Sequence, residues 1–293
     1  MTFSAVDWPA PAEPRAGAHR DPGAPRGGVL REELAKITRL TRVRALLAAG
    51  FLVPFVAAAG FRVQDAVPAD SLFGQWVHDS GYALAMVVLG FAAQWVLPAI
   101  VALVGGDVFS SEDRYGTWKT ILTRSRGRGG IFVGKMLAVL AWVIVSWVVI
   151  TGGCLLAVFV IGAHPVVGLG GQVVPSGRAA ALVTASWALQ LPPMVAFAAL
   201  AIFFSVLSRN SIVGIGAPVA VGLLGQLSTF VDVPTGLRLA LPSTAFGAWH
   251  GLWVPQTFLA PFWHGLIASV VWTLVALGAA WAVFAYRSIR VSA

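Results

Sequence analysis

Long apolar blocks alternate with short polar stretches along this chain, and the period-2 alternation of a membrane barrel strand is absent. Six blocks reach spanning length, at about 45–61, 81–104, 136–160, 179–206, 212–231 and 263–285. In hydrocarbon a chain must satisfy its own backbone hydrogen bonds, so blocks of roughly 20 apolar residues read as membrane-spanning helices. The pattern predicts an all-α, polytopic membrane protein with six transmembrane helices filling 45–286. The fifth block, VGIGAPVAVGLLGQL, is rich in glycine, which suits close helix contact in lipid.

The polar stretches differ from one another. Residues 1–28 hold five prolines and four glycines and no apolar run of signal-peptide length, so they read as a disordered cytoplasmic tail. Residues 29–44 change character: Leu30, Leu34, Ile37 and Leu40 recur at helical spacing, while Arg31, Lys36, Arg39 and Arg42 lie mostly opposite. Glu32 precedes Lys36 by four positions, a supporting helix pair. This is an amphipathic helix expected to lie in the membrane interface. Between the second and third spans lies a charged island, 105–135. Between the fifth and sixth lies an apolar outer loop, 232–262, too broken by Pro and Gly to span, expected to pack as short re-entrant or interfacial helices. Its Trp249 and Trp253, with Trp263, suit the headgroup level. Residues 287–293 form a short cytoplasmic tail.

Composition agrees with this layout and charge orients it. Of the 293 residues, 58% are hydrophobic and 11% charged, against about 25% charged in soluble domains. The net charge of +8 belongs to span flanks, so orientation explains it and nucleic acid is not an expected partner. With the N-terminus inside, 17 of the 20 Lys and Arg residues fall on the inner side, and only Arg62, Arg178 and Arg238 fall outside. The positive-inside rule then puts both termini in the cytoplasm.

Chemistry is sparse. GGIFVGKM offers Gly129, Gly134 and Lys135 of a phosphate loop, but Met136 stands where the magnesium-binding hydroxyl belongs, and the run opens a membrane span instead of following a strand. No ATP site is expected in this chain. The spans hold no Asp, Glu, Lys or Arg, so neither an ion relay nor intramembrane carboxylate catalysis is expected. Their polar residues include Gln94, Ser186, Gln190 and Gln226, each able to line a substrate path or to bond across helices. Pro192 and Pro193 mark a hinge in the fourth span. Cys154 is a small core residue without a second thiol. His78, His164, His250 and His264 fall on the outer side without the close pairing of a metal site.

The island itself carries the strongest signal. In EDRYGTWKTIL, Tyr115, Trp118, Ile121 and Leu122 fall at helical spacing on one side, with Arg114 and Lys119 around them. An amphipathic helix with an aromatic face reads as a partner surface or as a membrane-surface helix. The stretch Glu112–Asp113–Arg114–Tyr115–Gly116–Thr117–Trp118 resembles the E-x-x-x-G-T-(W/L) segment of type-2 permeases of ATP-binding cassette transporters. In that family a Leu-rich turn, an Arg-containing linker and G-K-(L/M)-L-A follow, matched here by Ile121–Leu122, Arg124–Arg128 and Gly134–Ala138. The linker lacks the proline found in many members.

The resemblance implies a dimer of six-span subunits, homo- or heterodimeric, each contacting a separate cytoplasmic ATPase subunit that holds the ATP and Mg; this chain would bind no cofactor. The segment from Glu112 to Trp118, with Ile121 and Leu122, would be the coupling helix, and the helix bearing Leu34, Lys36, Ile37, Arg39 and Arg42 would also touch the ATPase and membrane lipid. The substrate expected is an amphipathic or lipophilic compound such as a drug, natural product or lipid. Two alternatives stand beside this reading: a membrane enzyme or accessory protein of envelope biogenesis using the outer histidines, and an ATP-powered mechanical subunit that moves no small molecule.

Overall fold

The computed structural model describes residues 28–64, 68, 71–118, 121, 127–228, 231–232 and 234–286. The expectations for the N-terminal tail, the C-terminal tail and Leu122 lie outside these residues. The fold is all-α apart from one small hairpin. Helix α1 covers Val29–Arg39 and α2 Thr41–Val63; α3 covers Gly81–Gly105; α4 is a single short helix, Ser110–Tyr115. Then come α5, Arg128–Ile161, α6, Ser176–Ser208, α7, Ser211–Leu227, α8, Thr235–Ala240, and α9, Ala260–Tyr286.

Five of these helices, α2, α3, α5, α6 and α9, are long and apolar enough to cross a membrane. The remaining block expected to span, 212–231, forms a helix of only 17 residues. At 1.5 Å per residue this is about 26 Å, a little less than a ~30 Å hydrocarbon core. The long helices alternate in direction. One end of the bundle gathers α1, α4 and the starts of α5 and α7; the other gathers the connections after α2, α5 and α7. Helix α7 joins the two ends: it starts beside Asp107, through the Ser211 hydroxyl, and Gly225 near its far end lies against Ser243.

Close contacts are set by glycine. Gly106, after α3, and Gly214, in α7, meet backbone to backbone, and a methyl group on either would collide with the other. Gly153 of α5 lets the Phe51 backbone of α2 approach, and a Cβ there would lie 2.9 Å from the Phe51 Cα. In lipid, where apolar side chains gain little by leaving the solvent, such backbone approach is a main source of helix attraction.

Two helices are interrupted, both near proline. In α3 the turn Ala92–Val96 is π-helical. Pro98 has no amide to bond the Gln94 carbonyl four residues back and its ring crowds that carbonyl, so the turn widens. In α6 the helix breaks at Leu189 and Gln190, just ahead of Pro192 and Pro193. The sequence places its hinge at the same point. Two carbonyls just before the break are partnered by side chains: the Trp147 indole N–H donates to the Trp187 carbonyl at 2.8 Å, and the Gln190 amide donates to the Ser186 carbonyl at 2.9 Å.

The end opposite α1 is closed by a cap. The hairpin Val166–Val167/Val173–Val174, the 3-10 turn Gly74–Trp76 and the 3-10 segment Thr244–Leu252 pack together. Trp253 is fully buried there: its indole N–H donates to Ser186 Oγ at 3.0 Å, and Phe73 meets it edge-on with ring centroids 4.9 Å apart. The 232–262 loop does form short helices, but Trp249 and Trp253 are buried among protein aromatics and only Trp263 is exposed. Their spacing carried no sign of the Phe73 and Ser186 partners that draw them inward.

The back-to-back glycines give a sharp test. Gly214→Ala should destabilise the bundle by about 1–3 kcal/mol through overpacking, visible as a lowered melting temperature in detergent. Gly216→Ala, two residues along the same helix with open space around it, should leave the melting temperature unchanged.

Candidate functional site: a buried charge cluster beneath the charged island

Helix α1 has one acid on its apolar side. Glu33 follows Leu30 by three residues and precedes Ile37 by four, so it shares their face, and both Glu33 and Ile37 are buried. That face lies on the start of α5, where Gly134 makes room: a Cβ there would sit 2.8 Å from the Val29 Cβ. The next residue is Lys135, whose side chain is 0% exposed. Its three ammonium protons have three acceptors, Glu33 Oε1 at 2.7 Å, the Val108 carbonyl at 2.8 Å and Glu112 Oε1 at 2.9 Å. The ammonium also lies over the Phe109 ring, 5.7 Å from its centroid.

Glu112 belongs to the island. Its Oε1 also accepts from Lys36 Nζ at 2.6 Å, and its Oε2 accepts from the Thr117 hydroxyl. Two carboxylates and two ammoniums therefore join α1, α4 and α5, and they neutralise one another. Burial pushes the Glu112 carboxyl up, but Lys135, with hydrogen bonds from Lys36, Thr117 and Lys135 itself, holds it down to about 2. For Lys36, burial pulls downward, but Glu33 and the hydrogen bond to Glu112 outweigh it and keep the ammonium above its ordinary value.

A second polar group lies alongside. Asp107 accepts from Arg42 at the start of α2, from Arg114 at 3.2 Å and from the Ser211 hydroxyl at 2.6 Å. Ser110 and Ser211 hydroxyls are 3.0 Å apart. Ser205 Oγ, near the end of α6, accepts the backbone N–H groups of Phe109 and Ser110 at 3.2 and 3.0 Å. Through these bonds residues 107–112 are fastened to α1, α2, α5, α6 and α7.

Within the island, side chains divide between inside and outside. Helix α4 ends at Tyr115, and Gly116 takes a left-handed conformation (φ 64°) that closes it. The helical period therefore does not carry from Tyr115 to Trp118. Arg114, Tyr115 and Gly116 are exposed, whereas Trp118 is buried. Trp118 stacks near Phe109 at 6.4 Å and meets Phe284 of α9 at 5.6 Å. Asp113, Thr117 and Ile121 are partly buried.

The other expected residues fall in separate places. On α1, Leu34 is partly buried, while Lys36 and Arg39 are exposed; Arg42 follows at the start of α2. Ser186, Gln190 and Pro192 gather at the break in α6, with Ser186 and Gln190 buried. Gln94 is exposed on the π turn of α3, and Gln226 is partly buried on α7. The run that resembles a phosphate loop is helical from Arg128 onward, and its lysine is held by carboxylates. Among the described residues no group of three or more His, Cys, Asp or Glu side chains comes together. Sequence reasoning passed over Glu33 and Asp107, and met Lys135 only as part of an incomplete phosphate loop and of the run that opens the third span. An acid on the apolar face of α1 was the one readable sign of them.

The fold and the cluster define a multi-pass helical membrane protein whose first helix and charged island are joined by buried ion pairs. Residues 29–225 match the model of a family described as ABC-2 family transporter protein. The chain belongs to this family, as a membrane permease of an ATP-binding cassette transporter. A search of curated proteins finds no match.

Two measurements test the cluster. Lys135→Met leaves Glu33 and part of the Glu112 charge uncompensated and should cost about 3–5 kcal/mol, the usual penalty for breaking a buried pair, read as a large drop in melting temperature. The Glu112 carboxyl is lowered in the folded protein, so its stabilisation is complete above about 4.5 and is lost as pH falls through about 2. Melting temperature measured from pH 5 down to pH 2 should fall, and Glu112→Gln should flatten that fall.

Proposed function

We propose that this chain is the permease of an ATP-driven exporter, working with a second permease copy and taking its energy from a separate cytoplasmic ATPase subunit that binds the ATP and Mg. The carrying observation is the division of the island into an exposed tip, Arg114–Gly116, and a root fixed by Glu112, Asp107 and Trp118 to helices from across the bundle. A push on such a tip reaches α1, α2, α5, α6, α7 and α9 at once. The segment from Glu112 to Trp118 acts as the coupling helix, with Tyr115 and Arg114 as contacts for the ATPase.

Six spans fit this reading, with α7 as the fifth, because it runs from the charge cluster to the cap. Among described residues, the α1 end carries Arg31, Lys36, Arg39, Arg42, Arg44, Arg114, Arg128, Lys135 and Arg209, while the cap end carries Arg62, Arg178 and Arg238. That asymmetry supports a cytoplasmic α1 end, in a bacterial inner membrane. The apolar spans, without free charges in their middle, suit an amphipathic or lipophilic cargo, and the break at Ser186–Pro192 is a hinge beside its path. Gln94 and Gln226 are the polar groups offered by α3 and α7.

The test uses the purified chain and its co-purifying ATPase in nanodiscs. ATP turnover is expected only in the complex; hydrolysis by the permease alone would overturn the reading. Tyr115→Ala should reduce permease-stimulated turnover about tenfold, as for a contact hot spot, with no change in melting temperature. Trp118→Ala should reduce both, and Gly116→Pro, which cannot adopt positive φ, should uncouple in the same way.

A further inference from the structure

Lys135 has more counter-charge than it needs. At rest it has two carboxylates, Glu33 at 2.7 Å and Glu112 at 2.9 Å, and Glu112 has a second cation of its own, Lys36, at 2.6 Å. The four charges can therefore separate into two neutral pairs, Lys135 with Glu33 and Lys36 with Glu112. The surroundings of the two pairs differ. Lys135 is fully buried at the start of α5 and its third acceptor, the Val108 carbonyl, belongs to the stretch whose next two amides are bound to Ser205. Lys36 has 43% of its side chain exposed, on a long flexible stem that can follow a moving partner. One pair is fixed to the spans; the other can travel.

We propose that Glu33 is the resident counter-charge that lets Glu112, and with it the tip of the coupling segment, withdraw from Lys135 during the transport cycle without stranding a buried ammonium. Lys36 keeps Glu112 paired as it moves. The inference rests on the coupling role argued above and gives the Gly–Lys pair at the start of α5 a purpose: Gly134 brings α1 close enough for Glu33 to reach Lys135. Without Glu33, Lys135 would hold Glu112 in place, because withdrawal would leave a bare charge in a dry site, and that costs far more than one lost hydrogen bond. Glu33 is thus a positioning residue that acts through Lys135 and Glu112. A second copy of the cluster in the partner permease would work the same way.

The experiment measures ATP turnover and melting temperature of the permease–ATPase complex in nanodiscs, with ATPase retention scored by co-purification. Glu33→Gln keeps a neutral acceptor for Lys135 in the resting state but removes the counter-charge. Turnover should fall by at least about tenfold, with ATPase retained and melting temperature close to that of the unaltered chain. Glu33→Asp, which keeps the charge, should retain most of the turnover. In the double variant Glu33→Gln, Lys135→Met no buried ammonium remains to be stranded, and turnover should recover to within about threefold of the unaltered chain. Normal turnover in Glu33→Gln, or a double variant no faster than Glu33→Gln alone, would overturn the inference. Loss of the ATPase from the unaltered chain would instead overturn the functional reading beneath it.

Discussion

A fully buried ammonium is tolerable only when its charge and all three of its protons are accounted for, and the inner end of this protein is arranged around that requirement at Lys135. Glu33 comes from α1, 102 residues before Lys135, while Glu112 and the Val108 carbonyl come from the island, 23 and 27 residues before it. Together they fix where α1 and the island sit on α5. Helix α1 has to lie against α5, which needs Gly134 to have no side chain. The island has to fold back onto α5, which needs Gly116 to close α4 and Thr117 to turn toward Glu112. The buried ion pairs are weak grounds for high stability, but they are strong grounds for one specific arrangement, since any slip leaves a charge unpaired.

The same end shows how a charged loop is fastened into a helical bundle. Asp107 gathers Arg42, Arg114 and Ser211, so the starts of α2 and α7 meet at one carboxylate. Ser205 ties the backbone before α4 to the end of α6, and Trp118 reaches α9 through Phe284. A connection that merely obeyed the positive-inside rule would hold its basic residues in water. Here the root, Asp107–Glu112, is buried and the tip, Arg114–Gly116, is offered outward. At the opposite end, the aromatic cap bonds through Trp253 to Ser186, just before the break in α6. The helix that carries this break is therefore held on both sides of it, by Ser205 near the charge cluster and by Ser186 near the cap.

Much of this fold was legible beforehand because apolar length and helical period act locally. The first amphipathic helix, the break near Pro192 and Pro193 and the family resemblance around Gly116–Thr117–Trp118 all follow from neighbouring residues. What was misread depended on distant partners. Lys135 looked like a flanking charge one position outside a span, because its two carboxylates lie 102 and 23 residues away in sequence. Tyr115 and Trp118 looked like one aromatic face, because the left-handed residue Gly116 that ends α4 between them was invisible to a periodicity argument. Trp249 and Trp253 looked interfacial, because nothing local foretold Phe73 or Ser186.

By itself the sequence determined a multi-pass helical membrane protein, the approximate course of its hydrophobic helices and the segment that carries its family's signature, since these rest on hydropathy, proline and glycine read in order along the chain. Only the tertiary structure decided that the charged island is rooted in a neutralised buried cluster, that Glu33 shares Lys135 with Glu112, and that the island's two aromatic residues face opposite ways. Electrostatic compensation is a property of groups in space: a lysine is costly or stabilising inside a protein according to which carboxylates the fold brings to it.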